Sequence, residues 1–459
     1  MNKLIDLNHH STEKTPRQRL QERLSRNVKR RHRREWLFKH LGLGAMLLSL
    51  GCVALLFFSI ASRGLPAFWQ ATITLPIYID ENIVAIPPAP SQAKEESSAA
   101  FAARQTAWRN GLNQINWQQL LQQSVAAQYP EAELTARDLR TLFANTERYA
   151  LRDMVAEQPH LIGTTVTATL LADARVDVWV KGNIDRELPD SQQQLSPVVR
   201  QIVGKMQADG VLKTAFSTVL FTHADSRNAP AAAGLKGAFL GSLYMLLVVI
   251  LVAIPIGVGG AIYLEEFAPK NKWTDFIEVN VNNLAAVPSI VFGLLGAALF
   301  INFFKLPLSA PIVGGLVLSL MALPTVIITT RAALQAVPAS IRQAALGVGA
   351  SPTQTVFHHV VPLALPGVLT GAILAMAQSL GETAPLLLIG MNAFVANIPA
   401  SPMDQATALP VQIYLWQGNE LRNFFEARTS AAILVLLLLI ISANTVAIWL
   451  RKRLENRWK

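Results

Sequence analysis

The 459-residue sequence is 51% hydrophobic and only 15% charged, which is more apolar than a soluble domain of this length needs. Its single cysteine, Cys52, excludes intrachain disulfides and metal sites built from several cysteines. The formal net charge of +10 lies largely at the ends, because residues 1–39 hold twelve Lys or Arg and four acids and the last nine hold five and one. No nucleic-acid motif accompanies these charges. Positive-inside bias in a membrane protein therefore explains them, and nucleic acid is not an expected partner.

The N-terminal 39 residues predict a basic cytoplasmic tail that can also contact anionic membrane lipid. Residues 41–61 then form an uncharged run that is long enough to cross about 30 Å of hydrocarbon. The small residues at 59–61 resemble a cleavage site, but the run exceeds the usual length of about 7 to 15 residues for a signal-peptide core. We therefore predict an uncleaved first transmembrane helix at residues 40–62.

Residues 63–234 interrupt the apolar pattern and contain fifteen Lys or Arg and seventeen acids. Three prolines within residues 86–91 predict an extended linker or turn, because proline disfavours both helix and central strand. In residues 164–180, the alternation of Val176, Val178 and Val180 predicts a half-buried strand. The region therefore predicts a small α+β domain, which is either a passive spacer or a docking surface for a periplasmic partner. Amphipathic helices are predicted at residues 98–128, 130–149 and 196–208.

Five further uncharged runs follow, and each is long enough to span the membrane. With the first span they make six, so both basic termini lie on one side, which the positive-inside rule makes the cytoplasm. The predicted fold class is an all-α polytopic membrane protein with six transmembrane helices and a small α+β periplasmic domain between spans 1 and 2. Residues 235–450 form its membrane domain, and residues 451–459 form a second cytoplasmic tail. The five runs cover residues 237–264, 284–304, 306–330, 360–381 with its continuation, and 430–450.

The segment at residues 340–362, SIRQAALGVGASPTQTVFHHVVP, predicts two cytoplasmic helices joined by a turn. Ser340 and Gln343 have the spacing of a capping box that would start the first helix. Gly349 suits the left-handed position that ends a helix. Ser351 suits the N-cap of a second helix. An ordinary loop between two membrane helices explains these features equally well.

Glu382 is the only acid inside the predicted spans. A charge at mid-bilayer costs about 2.5 to 3.5 kcal/mol on insertion scales, so this carboxyl is expected to be protonated, paired or facing water. It serves either a buried hydrogen bond between helices or a translocation path, to which we also assign Arg331 and the adjacent Thr383. Arg331, at the end of the fourth run, and a residue of another subunit are the candidate partners of this acid.

His358 and His359 do not predict a metal site, because adjacent helical residues point about 100° apart and no carboxylate or cysteine lies close by in the sequence. The phosphate-binding sequence G-x-x-x-x-G-K-[ST] does not occur, and neither does an acyl-transfer or redox motif. We therefore expect no catalytic residue and no cofactor on this chain. Any ATP that drives transport is expected on another chain.

The segment at residues 340–362 resembles the coupling loop of ABC-importer permeases. That pattern begins with Glu-Ala-Ala, three residues of any type and Gly. Nine further residues separate this Gly from a hydrophobic residue, and one more residue separates that from Leu-Pro. The resemblance implies a transport subunit rather than an enzyme, and it implies that ATPase subunits act on this loop. Gln343, Ala344, Ala345, Gly349 and Pro362 fall at the corresponding places, while Gln343 replaces the acid, His359 the hydrophobe and Val361 the Leu.

Four other strings are similar to the permease subunits of phosphate ABC importers, the PstA family. They are residues 261–271 (AIYLEEFAPKN), 282–296 (NNLAAVPSIVFGLLG), 379–390 (SLGETAPLLLIG) and 409–416 (LPVQIYLW). One departure is Gln378, where many relatives have an Arg four positions before the Glu of GET.

The resemblance implies a type I ABC-importer permease fold in the bacterial inner membrane and the import of inorganic phosphate. It also implies four partners: a homologous second permease, two ATPase subunits and a periplasmic phosphate-binding protein. Transport of another oxyanion such as sulfate or molybdate stays open. So does a secondary transporter, which an inverted internal repeat would indicate, and a membrane-anchored periplasmic receptor.

Overall fold

The computed structural model describes residues 16–91, 96–131 and 134–455. The chain divides into two compact units, Met1–Ile60 and Ala61–Lys459. Helix α1 (Pro16–Gly64) joins the basic RNVKRRHRR sequence and the apolar run of the predicted first span in one continuous helix. Residues 1–15 of the predicted basic tail lie outside the described residues, as do residues 456–459 of the C-terminal tail.

The inserted domain, which we define as residues 63–234, contains a three-stranded antiparallel sheet in the order β2-β1-β3. The central strand β1 (Trp69–Tyr78) buries alternate side chains, as expected for a strand with one face on a core. Strand β3 pairs with β1 only as far as Ile73, so beyond that residue the edge of β1 that faced β3 is unpaired. Pro76, which has no backbone N–H to donate, lies in this unpaired stretch. The outer strands are β2 (Thr165–Leu171) and β3 (Leu212–Phe216).

Helices of the inserted domain pack against this sheet around one hydrophobic core. Side chains such as Ile73, Leu75 and Leu120 are fully buried there, and each contributes about 1.5 to 3 kcal/mol of apolar burial. The predicted helical stretches and the irregular linker at residues 86–91 are present. The helices are α2 (Ser98–Leu112), α3 (Trp117–Gln128), α4 (Ala136–Leu142), α5 (Glu147–Glu157), α6 (Ala174–Val180), α7 (Pro197–Ala208) and α8 (Val219–Thr222).

The strand predicted at Val176, Val178 and Val180 is wrong beyond Leu171, because these valines belong to helix α6. The side chain of Asp173 accepts a hydrogen bond from the backbone N–H of Arg175 and caps this helix. The helix buries Val176, Asp177 and Val178 in succession, so the alternating valines did not mark one face of a strand. Burial on several sides overrode the β propensity of valine.

The membrane domain consists mainly of long apolar helices. Five helices of the described part, α1 included, are long and apolar enough to cross a membrane, and a bent pair makes six if it counts as one span. Pro255, Pro324 and Pro366 lie inside three of these helices. The elements are α9 (Lys236–Ile262), α10 (Lys272–Ala285), α11 (Ser289–Gly296), α12 (Pro311–Gln335), α13 (Ala339–Gly347), α14 (Pro352–Gln354), α15 (Val361–Gly381), α16 (Ala384–Leu388), α17 (Leu409–Gln417) and α18 (Arg422–Glu455).

The predicted third span at residues 284–304 is not one straight helix. The chain bends by 104° between α10 and the helical segment Ser289–Phe303, which joins α11 to a seven-residue π-helical extension. Pro288 disfavours helical geometry at the residue before it, which explains the break. At 1.5 Å per residue the second segment is about 22 Å long, shorter than the roughly 30 Å hydrocarbon core.

Candidate functional site

The first helix of the 340–362 loop begins two residues earlier than a capping box at Ser340 predicts. Helix α13 starts at Ala339, directly after Pro338, and its N-terminus has no side-chain hydrogen bond. The predicted capping box of Ser340 and Gln343 is therefore wrong, since Ser340 already lies inside the first turn. Proline lacks an N–H and restricts the residue before it, so the chain bends at Pro338 and the helix follows at once.

The turn at Gly349 has the predicted left-handed conformation, with a φ of +91°. The N–H of Ala350 donates to the carbonyl of Ala345 at 3.1 Å, and the N–H of Gly349 donates to that of Leu346 at 3.0 Å. This pair of bonds is the Schellman pattern, which satisfies carbonyls that the end of a helix leaves free. No atom lies within 4 Å of the position that a Cβ of residue 349 would take.

The second helix restarts at the predicted N-cap, Ser351, which forms a capping box with Gln354. Ser351 Oγ accepts from the backbone N–H of Gln354 at 3.2 Å, and Gln354 Oε1 accepts from the N–H of Ser351 at 2.9 Å. From Pro352 the helix continues without a break to Gly381. Any displacement of the turn is therefore applied directly to a membrane helix.

An ion pair joins helix α13 to the π-helical turn Tyr263–Phe267 that follows α9. Arg342 Nη2 lies 2.6 Å from Glu266 Oε1, and Arg342 Nε donates to the other carboxylate oxygen at 3.2 Å. The same guanidinium donates to the carbonyl oxygens of Val337 and Leu334. The Glu266 side chain is only 8% exposed, and hydrogen bonding to it raises the pKa of Arg342. A forked, largely buried contact of this kind fixes the loop to the membrane helices.

Arg331 forms a second ion-pair cluster beside the first. It bonds to Glu265 at 3.1 Å and to Glu278 at 2.8 Å, and Gln335 also donates to Glu265. Of the two candidate partners of Glu382, Arg331 is therefore paired with other acids in this structure. Arg331 lies near the end of α12 that leads into the loop, whereas Glu382 follows the far end of the 21-residue helix α15. Thr329 packs against Gly371 in the middle of α15, so about eleven residues of helix, roughly 16 Å, separate the two charges.

Glu382 lies where helix α15 stops and the backbone becomes extended, with φ −78° and ψ 131°. The short helix α16 begins two residues later, and the carbonyl of Thr383 accepts hydrogen bonds from two of its N–H groups. The carboxyl is partly exposed and forms no ion pair within the described residues. Gln378, one helical turn earlier, is exposed as well. The break therefore presents polar groups at an open surface of the membrane domain.

The loop presents an accessible surface on its outer side. Gln343, Ala344 and Gly349 are exposed, while Ala345 packs inward. Two apolar side chains on the same loop are also exposed, Leu346 at 50% and Val348 at 85%. Pro362 is half-buried in the helix that follows. Exposed apolar side chains beside a rigid turn are typical of a protein interface.

The prediction from sequence missed the residues that hold this loop in place. Glu265, Glu266, Glu278 and Arg342 lie in or beside strings that showed the family resemblance, but no local pattern indicated which acid meets which arginine. His358 and His359 are both exposed on the second helix. Among the described residues, no group of three or more His, Cys, Asp or Glu has the geometry to hold a metal ion.

Comparison with known proteins identifies the family. Residues 229–459 match the family described as "Binding-protein-dependent transport system inner membrane component". The chain belongs to this family. It is therefore a membrane-embedded permease subunit of the ABC importers, a family whose ATPase subunits are separate chains. Residues 25–190 match a second family, "Domain of unknown function (DUF3333)".

The permease is also similar to individual curated proteins. It is 32% identical over 254 residues to the probable ABC transporter permease protein YqgI of Bacillus subtilis, which covers 53% of this chain and 85% of that protein. It is 34% identical over 232 residues to the phosphate transport system permease protein PstA 2 of Mycobacterium bovis, covering 49% and 74%. A solved structure of the MetNI methionine ABC transporter matches 48% of this chain and 95% of that one, with a TM-score of 0.38 and 19% identity.

Proposed function

We propose that this chain is the permease subunit of an ATP-driven importer that moves inorganic phosphate across the bacterial inner membrane. The single observation that supports phosphate as the cargo is the similarity to phosphate transport permeases such as PstA 2, at 34% identity over 232 residues. The four strings that resemble the PstA family, including GETAP at the end of helix α15, support the same cargo.

Separate ATPase subunits act on the permease through the loop around Gly349. Three features support this role: a turn fixed by the Schellman bonds, an exposed apolar surface at Leu346 and Val348, and a helix that continues from the turn into the membrane. Gln343 and Ala344 extend the exposed contact surface, Ala345 packs beneath it, and Pro362 lies in the helix that receives the displacement. Rigid elements of this kind transmit a movement with little loss.

Glu382 and Thr383 lie on the translocation path, at the break between α15 and α16. Broken membrane helices expose backbone groups that can line a polar path within the bilayer. For an anionic cargo, the carboxylate holds a cationic group of a second, homologous permease rather than the cargo itself. We do not assign Arg331 to this path, because it already pairs with Glu265 and Glu278 at the loop end of α12.

The proposed assembly contains two permeases, two ATPase subunits and a periplasmic phosphate-binding protein, in contact with membrane lipid. Its type I permease fold has both termini in the cytoplasm and the inserted domain in the periplasm. The inner membrane is the site of the complex, and ATP is bound by the partner subunits alone.

Uptake of radiolabelled phosphate in a strain that lacks its own phosphate permeases tests the cargo. Expression of this chain with its partner subunits is expected to restore uptake, and a hundredfold excess of sulfate or molybdate is expected to leave it unchanged. Competition by either oxyanion would reassign the cargo. Uptake that persists when ATP is depleted but stops when the proton gradient is dissipated would favour a secondary transporter.

A further inference from the structure

A hydrophobic cluster separate from the core of the inserted domain spans its junction with the membrane domain. Val178 and Leu220 from the inserted domain belong to the same buried cluster as Leu235, Trp416 and Phe425. We call residues 223–235 the connector, because they lead from the inserted domain into α9. Domains joined by small polar interfaces move freely against each other, whereas apolar packing across a junction opposes such motion.

Arg428 of helix α18 is buried at this junction. It is only 2% exposed and ranks first by volume among the fully buried side chains of the described residues. Its Nη2 donates to the carbonyl oxygen of Ala231 in the connector at 2.7 Å, and its guanidinium carbon lies 4.7 Å from the centre of the Phe424 ring. A buried guanidinium is costly unless hydrogen bonds and opposite charges compensate it.

The carbonyl oxygen of Ala231 joins the two domains through a second hydrogen bond. Gln70, on the central strand of the inserted domain, donates to it from Nε2 at 2.8 Å. The amide oxygen of Gln70, Oε1, accepts a hydrogen bond from the hydroxyl of Ser217, and this bond fixes the orientation of the buried side-chain amide. Both acceptor sites of one carbonyl oxygen are therefore used, one by the inserted domain and one by helix α18.

Two buried or half-buried acids supply the opposite charge near Arg428. Asp177 accepts from the backbone N–H of Ala71 at 2.7 Å and from Lys181 at 2.6 Å, so it is fixed within the inserted domain. Asp225 of the connector accepts from Gln412 and Trp416 of helix α17, both at 3.0 Å. Both carboxylates, one on helix α6 and one in the connector, are near enough to attract the guanidinium electrostatically, but neither forms a hydrogen bond or ion pair with it.

A close backbone contact limits movement at the same place. Gly64, the last residue of α1, lies so near α18 that an added Cβ would meet the backbone of Ser430 and Ala431 at 2.9 Å. Next to it, Arg63 forms an exposed ion pair with Glu426 at 2.7 Å, which contributes little by itself. The chain therefore enters the inserted domain in direct contact with helix α18.

We infer that the inserted domain is fixed to the outer end of α17 and α18 and moves with them as one rigid body, and that Arg428 is the positioning residue of this junction. The inference goes beyond the proposed function, because it concerns the movement of a domain of unknown function and holds for any cargo. In a transport cycle the inserted domain is then displaced together with the last helix, instead of moving independently on a flexible connector.

Distance measurement between spin labels tests this inference on the full chain in lipid nanodiscs. Cys52→Ser removes the native thiol, and labels are placed at the exposed positions Gln123→Cys in the inserted domain and Gln417→Cys at the end of α17. A second pair, Gln123→Cys and Gln207→Cys, lies within the inserted domain and reports whether that domain stays folded.

The wild-type junction is expected to give one narrow distance between residues 123 and 417. This distance is expected to change by less than about 2 Å when the complex with its ATPase subunits is trapped with ATP. A broad distribution, or a larger shift on trapping, would overturn the inference without any variant. The measurement on the chain alone does not depend on phosphate or on ATP, so its failure is distinct from a failure of the proposed function.

Substitution of Arg428 tests its positioning role. In Arg428→Gln the single narrow distance across the junction is expected to be lost, while the distance within the inserted domain stays narrow. Arg428→Lys retains the charge and is expected to keep a narrow distance. The matched control is Arg422→Gln, which removes the same charge from an exposed position of the same helix. A narrow junction distance in Arg428→Gln, equal to that in the control, would contradict the assigned role.

Discussion

Gly349 determines the conformation of the turn in the loop, because its φ of +91° is one that side chains with a Cβ rarely adopt. The surrounding space is open, so a substitution at this position acts through the backbone and not through a clash. We expect Gly349→Val to disfavour the turn by about 1 to 2 kcal/mol and to abolish most phosphate uptake while membrane insertion is preserved.

The control for this prediction is Gly349→Asn at the same position. Asparagine adopts the left-handed conformation more readily than other residues with a side chain, so Gly349→Asn is expected to keep most of the uptake. Radiolabelled phosphate uptake, normalised to the amount of protein in the membrane, measures both variants. Equal uptake by Gly349→Val and the wild type would remove the turn from the coupling mechanism.

Glu382 is the second residue whose role can be tested alone. It is partly exposed at the break after α15 and has no ion-pair partner in the part of the chain that the structure describes. We expect Glu382→Ala to lose transport while the complex still assembles, because the proposed partner lies on the second permease. Co-purification of the ATPase subunits measures assembly, and an unchanged transport rate would instead support a purely structural carboxyl.

At the scale of elements, the loop is held by the contact between Arg342 and Glu266. Arg342→Glu places two acids together at a largely buried position, which is expected to cost about 3 to 5 kcal/mol and to uncouple ATP hydrolysis from uptake. The double variant Arg342→Glu with Glu266→Arg restores the opposite charges and is expected to recover part of the coupling. Recovery is incomplete because Arg342 also donates to two carbonyl oxygens.

The ratio of phosphate taken up to ATP hydrolysed measures this coupling in proteoliposomes. A double-mutant cycle separates the interaction of the two side chains from their individual effects, and interacting pairs give about 0.5 to 3 kcal/mol. Arg342→Lys is the conservative comparison, since it keeps the charge and loses the forked geometry. If the double variant is no better than Arg342→Glu, the ion pair does not position the loop.

Local patterns predicted most elements that depend on neighbouring residues, although Pro338 started helix α13 before the expected cap at Ser340, and they failed where distant packing decides. The turn at Gly349 and the N-cap at Ser351 were correct because their hydrogen bonds are made within a few residues. The valines at 176–180 were misread because the burial of α6 comes from other elements. Hydropathy located the third apolar run but could not reveal the bend of 104° at its start.

The ion pairs show the same limit for the candidate site. The sequence left Arg331 as one of two candidate partners of Glu382. The true partners of Arg331, Glu265 and Glu278, are 66 and 53 residues away in the sequence, and only the packing of α9, α10 and α12 brings them together. Glu382 itself was found from sequence, because a single acid in an apolar run is conspicuous whatever the packing.

At the scale of the whole molecule, the loop at Gly349 and the inserted domain are both connected to the membrane helices of the second compact unit. The loop at Gly349 leads into a continuous helix, Pro352–Gly381, which ends at the break beside Glu382. The inserted domain is anchored to α17 and α18 through the buried contacts of Arg428. A force on the loop is therefore expected to reach the proposed translocation path through one helix of about 45 Å.

Simultaneous measurement of phosphate uptake and ATP hydrolysis tests the central claim most directly. The complex of this permease with its second permease and ATPase subunits is reconstituted in liposomes, with the phosphate-binding protein outside and ATP inside. The account predicts uptake that requires both the binding protein and ATP hydrolysis, and that falls about tenfold or more in Gly349→Val. Phosphate uptake driven by an ion gradient in the absence of the ATPase subunits would contradict it.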